Sequence, residues 1–230
     1  MDSENVLKES KEIFKILNQK FSRKIDGKDA IFEMKTGGYS NWKQMEWPGW
    51  YFEDIGRTIL LNEIGGQKGP MYGRTQFDYM NKYVWDLKIH AINDKHGNRK
   101  SWLILNDIDA IQNVINNQGG IGFIIPSAFM TYDVDGEFKK WHDALKGGKS
   151  KYELNRIKRG AYSRIRKTSF LIQSWLFLFF YDFSSILEGI YNGWAGGFQK
   201  GMRNANGSIR REKVKINIDC IPEKHILFRA

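Results

Sequence analysis

The chain has 230 residues, 41% hydrophobic and 27% charged, with a formal net charge of +10. So much apolar and aromatic content (15 Phe, 10 Tyr, 8 Trp) is ample for a core and excludes a disordered or low-complexity chain. A single domain over 1–230, or one with a subdomain, is expected at this length. The lone cysteine, Cys220, excludes an internal disulfide and suits a reducing cytoplasm. It reads as a small buried hydrophobe on a strand.

Residues 4–22 form an amphipathic helix, with Val6, Leu7, Phe14, Leu17 and Phe21 at helical spacing and Ser3 able to cap it. This charged start lacks the apolar core of a secretory signal. Ala30–Lys35 reads as a short strand, and Trp42–Glu63 as mostly helix, with Pro48 at a first turn or a break and Gly65-Gly66 as its stop. Gly69-Pro70 leads into a hairpin around Asp78–Ile92, and Asn93–Asn98 is a turn before a strand at Trp102–Leu105. Asp107 is a plausible N-cap for a helix through Ile108, Ile111, Val114 and Ile115, ended by Gly119-Gly120. Ile121–Ile125 is a buried strand expected to end near Pro126.

Further on, Tyr152, Ile157, Ala161 and Ile165 give Lys151–Lys167 a helical period. Phe170–Phe180 is a central strand or a buried helix, and periodicity leaves both open. The apolar run to Phe183 is broken by Gln173, Ser174 and Asp182 and is shorter than the ~20 residues of a membrane span, so a soluble, cytoplasmic protein is expected. Trp194–Ser208 is a Gly- and Asn-rich loop bearing Lys200 and Arg203, of the kind that follows a DNA groove. Val214, Ile216, Ile218 and Cys220 alternate with polar residues as a late strand. Strands and helices alternate through the middle, so the expected class is α/β with a mixed central sheet flanked by helices.

The charge is segregated. Residues 149–230 carry 16 Lys and Arg against 6 Asp and Glu, while residues 1–148 carry 20 of each. Within 149–167, Lys149, Lys151, Arg156, Lys158, Arg159, Arg164, Arg166 and Lys167 are countered only by Glu153. A solvated helix face explains one short run; a segregated excess points to a polyanion, and phosphate contact is the better reading.

The chemistry centres on Asp78, Asp86 and Lys88. Asp86 and Lys88 are two apart and share one strand face, and a hairpin turning at Asn81-Lys82 sets Asp78 opposite Trp85 and diagonal to Asp86. Two carboxylates and an ammonium so placed suit a divalent cation, a water and a phosphodiester. A rival set, Asp29, Glu33 and Lys35, leaves no room for a hairpin and would be strung along one strand. Glu46 and Glu53, seven apart, share a helix face, and Glu53 is the better placed if Pro48 separates Glu46 from the helix. Zinc-type spacing is missing from His90, His96, His142, His225 and Cys220. His90 shares the face of Lys88 but reads first as a packed histidine, and no P-loop or dinucleotide fingerprint stands out.

The Asp78…Asp86-Leu87-Lys88 stretch resembles the D-x(n)-(D/E)-x-K signature of the PD-(D/E)XK nucleases, the fold of most type II restriction endonucleases, although Phe77 stands where the family has proline. The acid-bearing segment Asn41–Glu53 and the strand–helix–strand order of Trp102–Met130 fit the same family, and the likeness covers roughly residues 40–130. It implies a catalytic core over about 25–130 and a basic DNA-binding portion over about 149–230. It also implies Asp78 and Asp86 as metal ligands, Lys88 beside the attacking water or the phosphate, and an acid from the helix (Glu53 or Glu46) joining the site. Mg²⁺, with Mn²⁺ as a substitute, would be the cofactor, and double-stranded DNA the substrate. A homodimer reading a palindrome and a cognate DNA methyltransferase as genetic partner complete the expectation. Phosphate contacts fall to Arg156, Lys158, Arg159, Arg164, Arg166, Lys167, Lys200 and Arg203. Met45 (next to Lys43 and Gln44) or Trp42 is a candidate wedge between base steps, or else Met45 is a core filler. The other readings are a structure-selective repair, recombination or phage nuclease, and a DNA-binding protein without catalysis.

Overall fold

Helix α1 (Ser3–Lys20) buries Val6, Glu9, Ser10, Ile13 and Leu17 at helical spacing. In this computed structural model the described residues are 3–70, 76–203 and 207–230, without the side chain of Tyr152; parts of the expected loops before the hairpin and after Trp194 lie outside them. Strand β1 (Lys24–Asp26) leads into helix α2 (Gly27–Thr36), where a strand over Ala30–Lys35 was expected. Asp26 Oδ1 accepts from the Lys28 N–H at 2.8 Å and caps a helix whose Ala30, Ile31 and Met34 bury one face. The rival residues Asp29, Glu33 and Lys35 are therefore helical.

Following a 3-10 turn (Ser40–Lys43), Trp47–Glu63 is helical with Pro48 in the first turn, as expected. It is not one regular helix. A π-helical turn, Phe52–Gly56, joins α3 (Trp47–Tyr51) to α4 (Arg57–Glu63), and Gly65 and Gly66 end the run at φ +91° and +87°. An antiparallel meander follows: β2 (Gln67–Lys68), β3 (Tyr79–Met80) and β4 (Val84–Leu87). Then come β5 (His90–Ala91), β6 (Trp102–Asp107) and helix α5 (Ile108–Gln118), closed by Gly119 at φ +77°.

Strand β7 (Ile121–Tyr132) runs through Pro126 instead of ending there. β4 pairs with Gly122–Ile124 and β5 with Ser127–Ala128, so Pro126 falls in the gap between them, where no partner needs its missing N–H. Helices α6 (Glu137–Leu145) and α7 (Lys151–Lys158) come next. The helix expected over Lys151–Lys167 stops short, at Gly160 with φ +67°, and residue 167 already begins β8 (Lys167–Phe180). That 14-residue strand settles the Phe170–Phe180 ambiguity, since it pairs with β7 from Ile121↔Phe180 to Tyr132↔Lys167. Helix α8 (Ser184–Tyr191), β9 (Ala195–Phe198), β10 (Lys213–Asn217) and β11 (Ile226–Arg229) complete the chain. Part of the expected Trp194–Ser208 loop is thus strand. Cys220 is exposed rather than buried, because the Asn217 side chain accepts from the Asp219 N–H at 3.1 Å and turns the chain out of β10.

The fold is mixed α/β. The main sheet runs β1-β8-β7-β4-β3-β2, with β11 also on β8 and β5 also on β7; β4 and β5 are parallel to β7 and the other pairs antiparallel. β6, which the sequence suggested as part of the same core, instead joins β10 and β9 in a separate sheet. Alternation divides the core. Trp85, Leu87, Ile124, Trp175, Phe177 and Phe179 face α1 to α4, while Val84, Phe123, Ile125, Leu176, Leu178 and Phe180 face α5 and the small sheet. Among the described residues no helix is long and apolar enough to cross a membrane.

Candidate active site

The β3–β4 hairpin sets the site. Tyr79 pairs with Trp85 and Met80 with Val84, so the turn holds three residues, Asn81–Tyr83, rather than the expected Asn81-Lys82. The register is thus one residue off the expected pairing of Asp78 with Trp85, although the Asp78 N–H still donates to Trp85 O at 3.2 Å. Asp78 and Tyr79 both meet Trp85, in the manner of a β-bulge, and such an extra residue re-aims a side chain. The Asp78 carboxylate reaches the next strand and accepts from the Leu87 N–H at 2.7 Å.

Along β4 the side chains of Asp86 and Lys88 follow Val84 to the face that looks toward α5 and the small sheet. Lys88 Nζ lies 2.8 Å from Asp86 Oδ2 and 3.8 Å from Asp78 Oδ2, and donates to Leu87 O at 3.3 Å. Asp86 is only 1% exposed, and its Oδ2, though ion-paired, lies off hydrogen-bond geometry and stays unsatisfied. Burial, and then the neighbouring Asp78 charge, raise the Asp86 carboxyl well above the usual range against the pull of Lys88. Burial works against the charge on Lys88, but Asp86, Asp78 and Glu53 outweigh it and hold the ammonium above its ordinary pKa.

The helical wall brings Glu53. It sits on the π turn, and its carboxyl is pushed up to about 8 by burial and then by Asp78, against Lys88 and Arg57. Arg57 Nη1 lies 3.8 Å from Glu53 while its Nη2 bonds Asp54 at 2.9 Å, which fixes the orientation of the turn. Gly56 allows the close approach: a Cβ there would stand 3.1 Å from Leu87 Cδ2 on the strand of Asp86 and Lys88. Glu46 lines the same cavity but is half-exposed and ion-paired with Lys167; burial raises its carboxyl, and Lys167 and Arg164 more than reverse this. Glu53, not Glu46, is drawn into the Asp78–Asp86–Lys88 group. Asp78, Asp86, Lys88, Glu53 and Glu46 all line one open cavity of about 430 Å³, with Lys213 and Asn106 on its far wall.

Among the described residues no three acidic, His or Cys side chains form a preformed metal cage. The donor set fits a hard divalent cation of the kind held by one or two carboxylates and by substrate phosphate oxygens. Asp86 Oδ2 is a buried, unsatisfied acceptor, and burial first, then the Asp78 charge, raises the Asp86 and Glu53 carboxyls, so a cation there would favour their ionised forms.

The basic run is divided by burial. Arg156 is buried against Glu153 and the Tyr162 carbonyl, and Arg166 is buried against Asp143 at 3.0 Å and His142 at 3.0 Å. These two hold α6 and α7 to the segment that follows, and their charges are spent inside the fold. Lys167 is largely covered and engaged with Glu46, whereas Lys158, Arg159 and Arg164 are exposed, as are Lys200 and Arg203. Met45 is half-buried on a turn ahead of α3, just after exposed Lys43 and Gln44; Lys43 and Lys35 stack on the Trp42 ring. Glu9 was not flagged by sequence reasoning. This buried acid on α1 accepts from the Lys82 and Tyr83 N–H groups and from Trp85 Nε1 at 2.9 Å, so it fixes the hairpin turn. A carboxylate at a core position of an amphipathic helix was the available signal.

No protein-family model, curated protein or solved structure matches the chain.

Proposed function

We propose that the chain is a Mg²⁺-dependent nuclease of double-stranded DNA, of the PD-(D/E)XK kind, and specifically a type II restriction endonuclease. The observation that carries this reading is the convergence of Asp78, Asp86 and Lys88, with Nζ 2.8 and 3.8 Å from the two carboxylates, on the wall of an open cavity. Element order supports it: an acid-bearing helical segment (α3–α4), the β2–β3–β4 meander, helix α5, then β7 parallel to β4. The resemblance also implies a core strand at Trp102, and here the order departs from it, since β6 lies in the small sheet.

Asp78 and Asp86 would hold the cation, with Glu53 nearby. Mg²⁺ held there would supply a lowered pKa for a coordinated water and charge to offset the scissile phosphate. Lys88 keeps its proton, so it acts as a cation that orients water and a phosphate oxygen rather than as a base. Glu53, pushed up to about 8, is a carboxyl that can hold a proton at neutral pH, which suits moving a proton to or from solvent at the reacting end. The Leu87 N–H keeps Asp78 pointed into the cavity. Mn²⁺ fits the same oxygen donors.

Exposed Lys158, Arg159, Arg164, Lys200 and Arg203 are among the cations of the basic third available to phosphates, and a two-fold dimer would set one such site on each strand. The test is a digest of supercoiled plasmid: discrete linear fragments with Mg²⁺ and none with chelator support the reading. Intact plasmid under both conditions, across several plasmids of different sequence, refutes it.

A further inference from the structure

A second cavity, of about 490 Å³, is lined by residues of β5, β7 and β8 and of the segment before β6. Its inner wall is His90 and Ser127, which pair across β5 and β7, and its rim carries Arg99, Lys100 and Arg229 against one acid, Asp219. His90 is 1% exposed. Its Nδ1 lies 3.5 Å from Ser127 Oγ, and its Nε2 makes no hydrogen bond, approaching the Lys100 backbone without reaching hydrogen-bond geometry. A buried ring nitrogen left unsatisfied on the wall of a roomy cavity with a charged rim is a costly feature that a ligand would relieve.

We propose that this cavity is a phosphate site, occupied by a phosphate of the nucleic acid that adjoins the one held at Lys88. The lining is rich in donors (the hydroxyls of Ser127 and Ser174, the Gln173 amide, the Lys100 ammonium and the Arg229 guanidinium), and its one carboxylate, Asp219, is already paired with Arg99 at 2.7 Å. Phosphate oxygens accept from such groups, and His90 Nε2 becomes a donor if Ser127 donates to Nδ1. The field has the right sign. Burial and then the Lys100 and Arg99 charges, opposed by Asp219, push the His90 ring down to about 4, as expected over a floor awaiting an anion.

Position selects the source. His90 is two residues beyond Lys88, about 6.6 Å at the rise of a strand. Lys100, on the rim of the second cavity, acts electrostatically on His90 and, more weakly, on Glu46 of the first. A backbone that presents one phosphate at Lys88 carries another toward His90. The source of the phosphate rests on the nuclease reading; the phosphate chemistry does not.

The experiment follows the histidine side-chain resonances of the full chain by NMR in chelator, where no cleavage occurs, with His90 assigned through His90→Gln. Two probes are added separately: a short DNA duplex and inorganic phosphate. The expected result is a saturable shift of the His90 resonances with duplex, reversed in part by excess phosphate. Lys100→Ala/Arg229→Ala should weaken duplex binding and lower the slope of log K against log salt by about 0.9 for each phosphate that is no longer neutralised. No His90 shift with either probe, or an unchanged slope, overturns the proposal. A shift with phosphate alone overturns the nucleic-acid assignment and leaves a site for a free phosphate ligand. A His90 shift with duplex in a wild-type protein that cuts no DNA would sink the nuclease reading and support this site.

Discussion

Trp85 Nε1 donates to Glu9 Oε1 at 2.9 Å, and this bond ties the amino-terminal helix to the strand that bears Asp86 and Lys88. The same carboxylate receives the Lys82 and Tyr83 N–H groups, so one buried acid holds both the turn and the strand of the hairpin. Burial raises its pKa, and those three hydrogen bonds pull it back only in part. We expect Glu9→Ala to cost about 1–3 kcal/mol for the buried indole N–H left without an acceptor. Cleavage should fall with it, because Asp78 loses its fixed reach to Leu87. Glu9→Gln, which keeps an acceptor, should recover most of the stability in a denaturant melt. Equal losses in the two variants would mean that the negative charge, not the acceptor, matters.

Glu53 makes stability depend on pH in a definite direction. Its folded pKa, about 8, exceeds its ordinary 4.5, so its contribution is fully present below 4.5 and is lost as pH rises through 8. The loss is on the order of a few kcal/mol at most, because the buried carboxylate must ionise beside Asp78. Glu53→Gln should therefore be more stable than wild type above pH 8 and should flatten the profile between pH 5 and pH 8. Added Mg²⁺ should protect the wild type more at pH 8 than at pH 6, since protons compete with the cation. A Glu53→Gln profile parallel to wild type would remove Glu53 from the charged cluster.

How much of this was legible beforehand depends on the kind of signal. Asp86 and Lys88 were placed correctly because a strand has a period of two, and Asp78 to within one residue because a short hairpin leaves few ways back. The π turn was invisible: Phe52–Gly56 has the composition of an ordinary helix, and only packing against Leu87 shows that the turn carries Glu53 to the site. Helix α2 was misread because Ala30–Lys35 is too short for periodicity to decide, while its cap, Asp26, lies outside that window. Charge counting located the basic third but not which cations face water; that depends on acids distant in sequence, such as Asp143 for Arg166.

Two neighbouring arginines should behave oppositely. Arg166 is 5% exposed in its side chain and bonds Asp143 and His142, so Arg166→Ala removes two buried contacts while Lys146 still pairs Asp143 at 2.9 Å, and it should cost about 1–3 kcal/mol. Arg164 is 75% exposed, and Arg164→Ala should leave the melting temperature unchanged while reducing the salt dependence of DNA binding. If Arg164→Ala binds DNA with an unaltered salt slope, the outer side of this segment faces solvent only.

Met45 lies half-buried on its turn, which is partial cover for either a wedge or a filler. A fully packed methionine loses about 2–5 kcal/mol on truncation to alanine, so a half-covered one should lose less. We expect Met45→Ala to melt within about 2 kcal/mol of wild type and to reduce the DNA bend reported by fluorescence transfer across a short duplex. An unchanged bend would return Met45 to a packing role.

The most direct test compares wild type, Asp86→Asn and Lys88→Met on one end-labelled duplex that the wild type cuts, with Mg²⁺ present and folding verified by melting. Asp86→Asn removes a buried charge and should fold at least as well as wild type at neutral pH. Lys88→Met leaves Asp86 without its partner at 2.8 Å and should be the less stable variant. Both should bind the duplex, and neither should cut it. Cleavage by folded Asp86→Asn at a rate near that of wild type would contradict the assignment of this site.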